Sequence, residues 1–177
     1  MQVERGTCSS ASVIWSGRRR RARSRWINEA IREVIELTRG EAVKSGASVQ
    51  TQLADGLPFI DGDRVELQQM LLNLIINALE AMSSVSDGAR QLLVSTGKAD
   101  SDCVLVTVRD SGPGFGPHGA EHVFAPFYTT KSTGLGMGLS ICRSIIDAHG
   151  GRLWASANAP RGAVVQFTVP AHPAVSS

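Results

Sequence analysis

From Ile27 onward, apolar side chains return at steps of three and four residues. Ile27, Ala30, Ile31, Val34 and Ile35, with Thr38 in the same register, are separated by acids and by Arg32. This spacing predicts one amphipathic helix, closed by Gly46. Ser48 to Leu53 then alternates polar and apolar positions, as a half-buried strand does, before a turn at Gly56-Leu57-Pro58. A second helix is expected after Asp61 or Asp63, either of which can cap it, and Glu66 stands three residues beyond Asp63 to complete a capping box. Its inward stripe reads Leu67, Met70, Leu71, Leu74, Ile75, Ala78, Leu79 and Met82. Leu92 to Thr96 and Val104 to Arg109 read as a hairpin joined by the polar run Ala99 to Asp102. A glycine-rich irregular stretch follows from Asp110 to Gly138. A third helix then spans roughly Leu139 to His149 and is stopped by Gly150-Gly151, and strands Arg152 to Ala157 and Ala163 to Val169 come last. Helices and largely adjacent strands in this order predict an α+β fold, a two-layer sandwich with one mixed sheet and its helices on a single face.

Composition narrows the class without changing the fold. The chain has 177 residues, of which 42% are hydrophobic and 5% aromatic. At this size, folding buries roughly 70% of the unfolded surface, enough for a core without disulfides or a structural metal. The three cysteines, Cys8, Cys103 and Cys142, are odd in number and lack a CxxC spacing, so neither a disulfide framework nor a zinc site is expected. The reading is a cytoplasmic protein. The most apolar run, Met70 to Met82, is interrupted by Asn73, Asn77 and Glu80, so no membrane segment is expected.

The net charge of +2 conceals a division. Residues 1–26 hold seven of the 18 basic side chains against one acid, Glu4, leaving 11 basic and 15 acidic groups for the rest. The tail lacks apolar periodicity and is read as disordered, with 27–170 as the folded domain and 171–177 as a second tail. An arginine-rich tail also permits charge-driven contact with nucleic acid, but no specific nucleic-acid partner is expected.

Several polar features stand out against this frame. Asn73 and Asn77 lie four residues apart in an otherwise apolar neighbourhood, so their amides share one helix face. Buried amides without partners cost about 1–3 kcal/mol each, so the pair invites a polar ligand, or else neighbouring backbone. An amide oxygen is a hard neutral donor suited to magnesium already held by phosphates. Asp110-Ser111-Gly112-Pro113-Gly114 follows an apolar strand, placing a carboxylate that can accept from an exocyclic amine beside glycines that admit a flat ligand. Alone, it is equally an ordinary turn. Gly134, Gly136 and Gly138 lead into the Leu139 helix, whose first amides can meet an anion. No GxGxxG or GxxxxGK(S/T) string stands at a strand-to-helix junction, so the dinucleotide and P-loop fingerprints fail. Between these elements lies Phe124 to Lys131, where Phe124 and Phe127 can anchor a loop and Lys131 can reach a phosphate.

Taken in order, NLIIN followed by Ala78 and Glu80-Ala81-Met82, then DSGPG, FAPFYTTK and GLGMGL, resembles the ATP-binding catalytic domain of bacterial sensor histidine kinases over residues 27 to 170. The resemblance implies a Bergerat-type sandwich with ATP beneath a short lid, Tyr128 to Thr133, like that of nitrogen-regulation-type kinases. It implies Asn77 as the magnesium ligand with Asn73 beside it facing the phosphates, and Asp110 on the adenine amine with Gly112 and Gly114 shaping that wall. It further implies Phe124 and Phe127 as the aromatic anchors of the lid, and Lys131, Gly134, Gly136, Gly138 and Leu139 around the triphosphate. The cofactors implied are ATP and Mg2+. The partners implied are a histidine-bearing dimerisation domain acting in trans and the receiver domain of a response regulator.

The family's phosphoacceptor histidine has an acidic neighbour, and none of His118, His122, His149 or His172 does. His149 is instead expected as a cation at a helix C-terminus. Residues 1–26 lack the heptad pattern of an acceptor hairpin, so a truncated, recombined or misread reading frame is expected. Hydrolytic relatives of the fold, such as gyrase and the heat-shock chaperones, carry a glutamate one turn before the metal-binding asparagine. Here that position is Asn73, and an amide is no base. The other alternative is a nucleotide-sensing or partner-binding domain without catalysis.

Overall fold

The computed structural model describes residues 26–60, 62–85, 88–99, 103–114, 138–159 and 161–171. The tails at 1–25 and 172–177 lie outside them, as does Asp61. In chain order the elements are α1 (Trp26–Leu37), α2 (Arg39–Ser45), β1 (Ser48–Gln52), α3 (Arg64–Ser83), β2 (Gln91–Ala99), β3 (Cys103–Asp110), α4 (Gly138–Ala148), β4 (Arg152–Ala157) and β5 (Ala163–Pro170).

The single helix expected up to Gly46 is two helices. Thr38 is buried, and its hydroxyl donates to the carbonyls of Val34 (3.0 Å) and Ile35 (3.1 Å). Such back-bonding bends a helix, and α2 starts again at Arg39 and ends on Gly46 in the left-handed conformation. The inward stripe of α1 is as expected: Ile27, Ala30, Ile31 and Val34 are buried.

The five strands form one mixed sheet in the order β1-β2-β3-β5-β4, with β1 parallel to β2 and every other pair antiparallel. Register places Val94 beside Val108 beside Val165, and Val106 beside Phe167 beside Leu153. These rows form the sheet's half of the core, facing Leu67, Met70, Leu71, Leu74, Ile75 and Leu79 of α3 together with Cys142 and Ile146 of α4. The opposite face carries a polar ladder, in which Trp154 Nε1 donates to Gln166 Oε1 and Gln166 Nε2 to Thr107 Oγ1. Period-two alternation along the strands therefore separates a helix-covered face from a more polar one.

Asp63 caps α3, its Oδ1 accepting from the amides of Val65 (3.0 Å) and Glu66 (3.2 Å). The reciprocal half of the expected capping box is replaced by a tertiary contact. The amide of Asp63 donates to His149 Nε2 at 3.0 Å, while His149 Nδ1 lies 2.7 Å from the carbonyl of Ile145. Nε2 must be unprotonated to accept, and Nδ1 must carry the proton to donate. His149 is thus a neutral bridge between the end of α4 and the start of α3, not the helix-end cation that its position suggested. Just beyond it, a Cβ on Gly151 would fall 1.9 Å from the Thr168 carbonyl, so the chain leaves α4 flush against β5.

The cysteine expectation needs one correction. Cys103 is disulfide-bonded, whereas Cys142 is a free, buried thiol. No helix among the described residues is long and apolar enough to cross a membrane.

Candidate nucleotide-binding site

Asn73, Asn77 and Ala81 follow one another at four-residue steps along α3, so they share a face beside the buried stripe. All three are half-buried. The turn after β3 docks onto this face: a Cβ on Gly112 would lie 3.5 Å from Ala81 Cβ and 3.1 Å from Asp110 Oδ1. Ser111 Oγ, 3.7 Å from Met82 Sδ, fixes the same approach from the next residue. The asparagine helix and the aspartate turn therefore meet on one side of the molecule.

Asp110, the last residue of β3, is only 7% exposed. Burial raises its pKa, and the backbone amides of Gly112 and Ala163 partly oppose that by donating to the carboxylate. Both amides reach the same oxygen, Oδ1, at 2.9 and 3.2 Å. Among the described residues Oδ2 accepts no hydrogen bond, so one oxygen orients the carboxylate and the other is left to receive a donor.

Sequence reasoning missed the elements that hold this turn in place. The β3–β5 ladder ends at Arg109 and Val164, and the next amide, Ala163 N, turns to the Asp110 side chain. Asn158 Nδ2 donates to the Asp110 carbonyl at 3.0 Å, Asn158 N to the Gly162 carbonyl at 3.0 Å, and Arg161 Nε to the Ser111 carbonyl at 3.2 Å. Gly162 has φ +119, and a Cβ there would stand 1.9 Å from the Asp110 oxygen. Gly114 (φ +85) meets Gly162 from the other side. The glycine in Arg161-Gly162 was a visible turn signal, but its partner lies some fifty residues upstream, beyond local pattern.

α4 runs antiparallel to α3. His149 joins Asp63 at one end, and midway the Cys142 thiol lies 3.8 Å from the Met70 carbonyl. The Asn73 side chain acts on the same thiol. One further turn along each helix carries Asn73 to Asn77 and Cys142 to Gly138, so the first turn of α4 stands level with Asn77. Its first amides lie at the positive end of a helix dipole. Leu139 is partly buried against the core and anchors that turn. Burial pushes the Cys142 thiol up to about 12, with the Asn73 amide easing it in the other direction.

Of the residues singled out from sequence, Asn73 and Asn77 lie on the α3 face beside which the turn carrying Asp110, Gly112 and Gly114 docks, and Gly138 and Leu139 open α4, which packs on α3. Phe124, Phe127, Lys131, Gly134 and Gly136 lie outside the described residues. Asn77 offers the donor type that magnesium accepts alongside phosphates and water, so the residues present fit that ion.

A mixed sheet backed by helices on one face, with a carboxylate at a strand end opposite an amide-bearing helix, defines a Bergerat-type nucleotide-binding sandwich. Residues 62–173 match the family described as histidine kinase-, DNA gyrase B- and HSP90-like ATPases. The chain is 43% identical over 145 residues to the sensor protein FixL of Bradyrhizobium diazoefficiens, covering 82% of this chain and 28% of that protein. The catalytic domain of the histidine kinase ThkA superposes with a TM-score of 0.69 at 36% identity, covering 82% of this chain and 95% of that domain. Full-length ShkA in complex with AMPPNP gives a TM-score of 0.71 at 29% identity, over 82% of this chain and 30% of that one. ThkA is also solved in complex with the response regulator protein TrrA, where it matches with a TM-score of 0.69 and 33% identity, over 83% of this chain and 41% of that one. The chain belongs to this ATPase family, as an ATP-binding catalytic domain of the sensor histidine kinase type.

Proposed function

We propose that this domain binds Mg-ATP in the α3–β3–α4 cleft and presents the γ-phosphoryl group to a histidine on a separate helical dimerisation domain. An aspartate of a response regulator receiver domain then takes the group from that histidine, in the cytoplasm. The carrying observation is the asymmetric Asp110 carboxylate, with Oδ1 fixed by two backbone amides while Oδ2 accepts none among the described residues, on the same side as Asn77. The adenine amine is the donor this geometry suits, and Gly112 and Gly114 leave the adjoining wall open to a flat ring. The magnesium ion would be held by Asn77 and the phosphates, where it neutralises charge on the transferring group. The first turn of α4, entered through Gly138 and Leu139, supports the phosphates by its amides. Lys131, Gly134 and Gly136 are assigned to the same phosphates, and Phe124 and Phe127 to the anchoring of the lid, by their sequence alone.

Hydrolysis is the weaker reading, because Asn73 stands where a base would be needed and an amide cannot take a proton from water. Phosphoryl transfer here rests on positioning and charge neutralisation, which the cleft supplies without a base of its own.

The test mixes the protein with separately produced dimerisation hairpins and γ-labelled ATP and follows acid-labile phosphohistidine. Label is expected on the hairpin and should be lost with Asn77→Ala, whose unfolding temperature should stay close to that of the parent. Equal labelling by the variant would remove Asn77 from the metal role, and labelling of this chain alone would overturn transfer in trans.

A further inference from the structure

We propose that Asn158, in the turn between β4 and β5, is a positioning residue that sets selectivity for the nucleotide base by holding the Asp110 carboxylate in its bidding orientation. The inference rests on the reading of Asp110 as the acceptor of the adenine amine, and it extends the site to an element that no motif marked.

Between β3 and β5 the ladder ends at Arg109 and Val164, so the backbone of Asp110 has left regular pairing with β5. What replaces that pairing is a set of bonds from one turn. Asn158 Nδ2 donates to the Asp110 carbonyl at 3.0 Å, and Ala163 N donates to Asp110 Oδ1 at 3.2 Å. Asn158 N also donates to the Gly162 carbonyl at 3.0 Å, which closes the turn and brings Ala163 N to the carboxylate. Asn158 thus grips Asp110 twice, directly through the main chain and indirectly through the residue that bonds the side chain.

The turn has almost no room to drift. Gly162 lies so close to the Asp110 carbonyl that an added Cβ would stand 1.9 Å from its oxygen and 3.0 Å from Ser111 Cα. A carboxylate held at one oxygen can still swing about that contact, and the main-chain grip on Asp110 restricts the swing. Oδ2 then points consistently at whatever the base offers. A donor at that position, the amine of adenine, is accepted, whereas the carbonyl of guanine would face an oxygen with no proton between them.

Asn158 touches no phosphate contact described above, so its effect should be confined to the base. Affinity for ATP and for purine riboside triphosphate, which lacks the exocyclic amine, is measured calorimetrically in the parent, Asn158→Ala, the volume-preserving Asn158→Leu, and Asp110→Asn. The preference for ATP should fall about five- to tenfold in both Asn158 variants, the worth of about one hydrogen bond, with affinity for the amine-less nucleotide held within about twofold. Equal weakening for both nucleotides, or an unchanged preference while Asp110→Asn abolishes it, would overturn the role of Asn158. A preference that survives Asp110→Asn would instead overturn the adenine assignment beneath it. Thermal unfolding of each variant identifies any that has lost its fold, and the Leu variant then carries the test.

Discussion

Replacing Asp110 with Asn is the sharpest perturbation of this site, because it should move function and stability in opposite directions. The carboxamide oxygen can take the place of Oδ1 and keep both amide bonds, from Gly112 and Ala163. Its nitrogen then occupies the position of Oδ2 and offers a donor where the adenine amine also brings a donor. A hydrogen bond to a charged group contributes about 1.5–3 kcal/mol, so its loss alone should weaken ATP binding about ten- to a hundredfold. Stability should be unchanged or higher at neutral pH, since the variant no longer buries a charge in a residue only 7% exposed. The pH dependence has a definite sign. Burial raises the Asp110 pKa above its ordinary 3.8, so the folded protein holds this proton more tightly than the unfolded chain does. The contribution of Asp110 to stability is complete below 3.8 and is lost as pH rises through the raised folded value. The Asn variant has no such proton, so its advantage in unfolding temperature should grow from acid toward neutral pH and then level off. Calorimetric titration with ATP and thermal melts across that range measure both effects. Unchanged ATP affinity would refute the base assignment, and a marked loss of stability at neutral pH would refute the account of the carboxylate.

Three further outcomes are expected. Gly162→Ala forces a Cβ into the Asp110 carbonyl from a φ of +119, so it should cost about 2–4 kcal/mol in denaturant unfolding and weaken ATP binding, whereas a neutral result would show that the turn yields easily. His149→Phe preserves bulk but leaves the Asp63 amide unsatisfied, which should cost about 1–3 kcal/mol in the same assay, and an unchanged midpoint would deny the bridge any weight. Cys142 is fully buried with its thiol at about 12, so a native sample should resist alkylation there at mildly alkaline pH and react once unfolded, as peptide mapping would reveal. Rapid native labelling of Cys142 would contradict that burial.

Much of this molecule could be read from spacing. The three-and-four steps of α1, the buried stripe of α3 and the alternating strands all appear where periodicity put them, because each element buries one face against a common core. The break at Thr38 was hidden, since the apolar register runs through it and only the hydroxyl's bonds to Val34 and Ile35 interrupt the helix. The same limit explains His149, whose helix-end position suggested a charge. Its tautomer is decided by an amide 86 residues upstream. At the site, Asn77 and Asp110 stood out because their residue types suggest a chemistry, and the turn after β3 does dock on the α3 face that carries Asn77. Asn158 and Ala163 were not, because they act on Asp110 across 48 and 53 residues of chain.

The place of β5 in the strand order has a consequence for biosynthesis. β5, which follows the other described strands in the chain, lies inside the sheet, between β3 and β4, and supplies the Ala163 amide that orients Asp110. A ribosome delivers the asparagine helix and the aspartate turn first, yet the base recognition proposed above would have to wait until β5 threads into its gap. On that proposal, nucleotide capture during synthesis would report that β5 has left the ribosome and found its place.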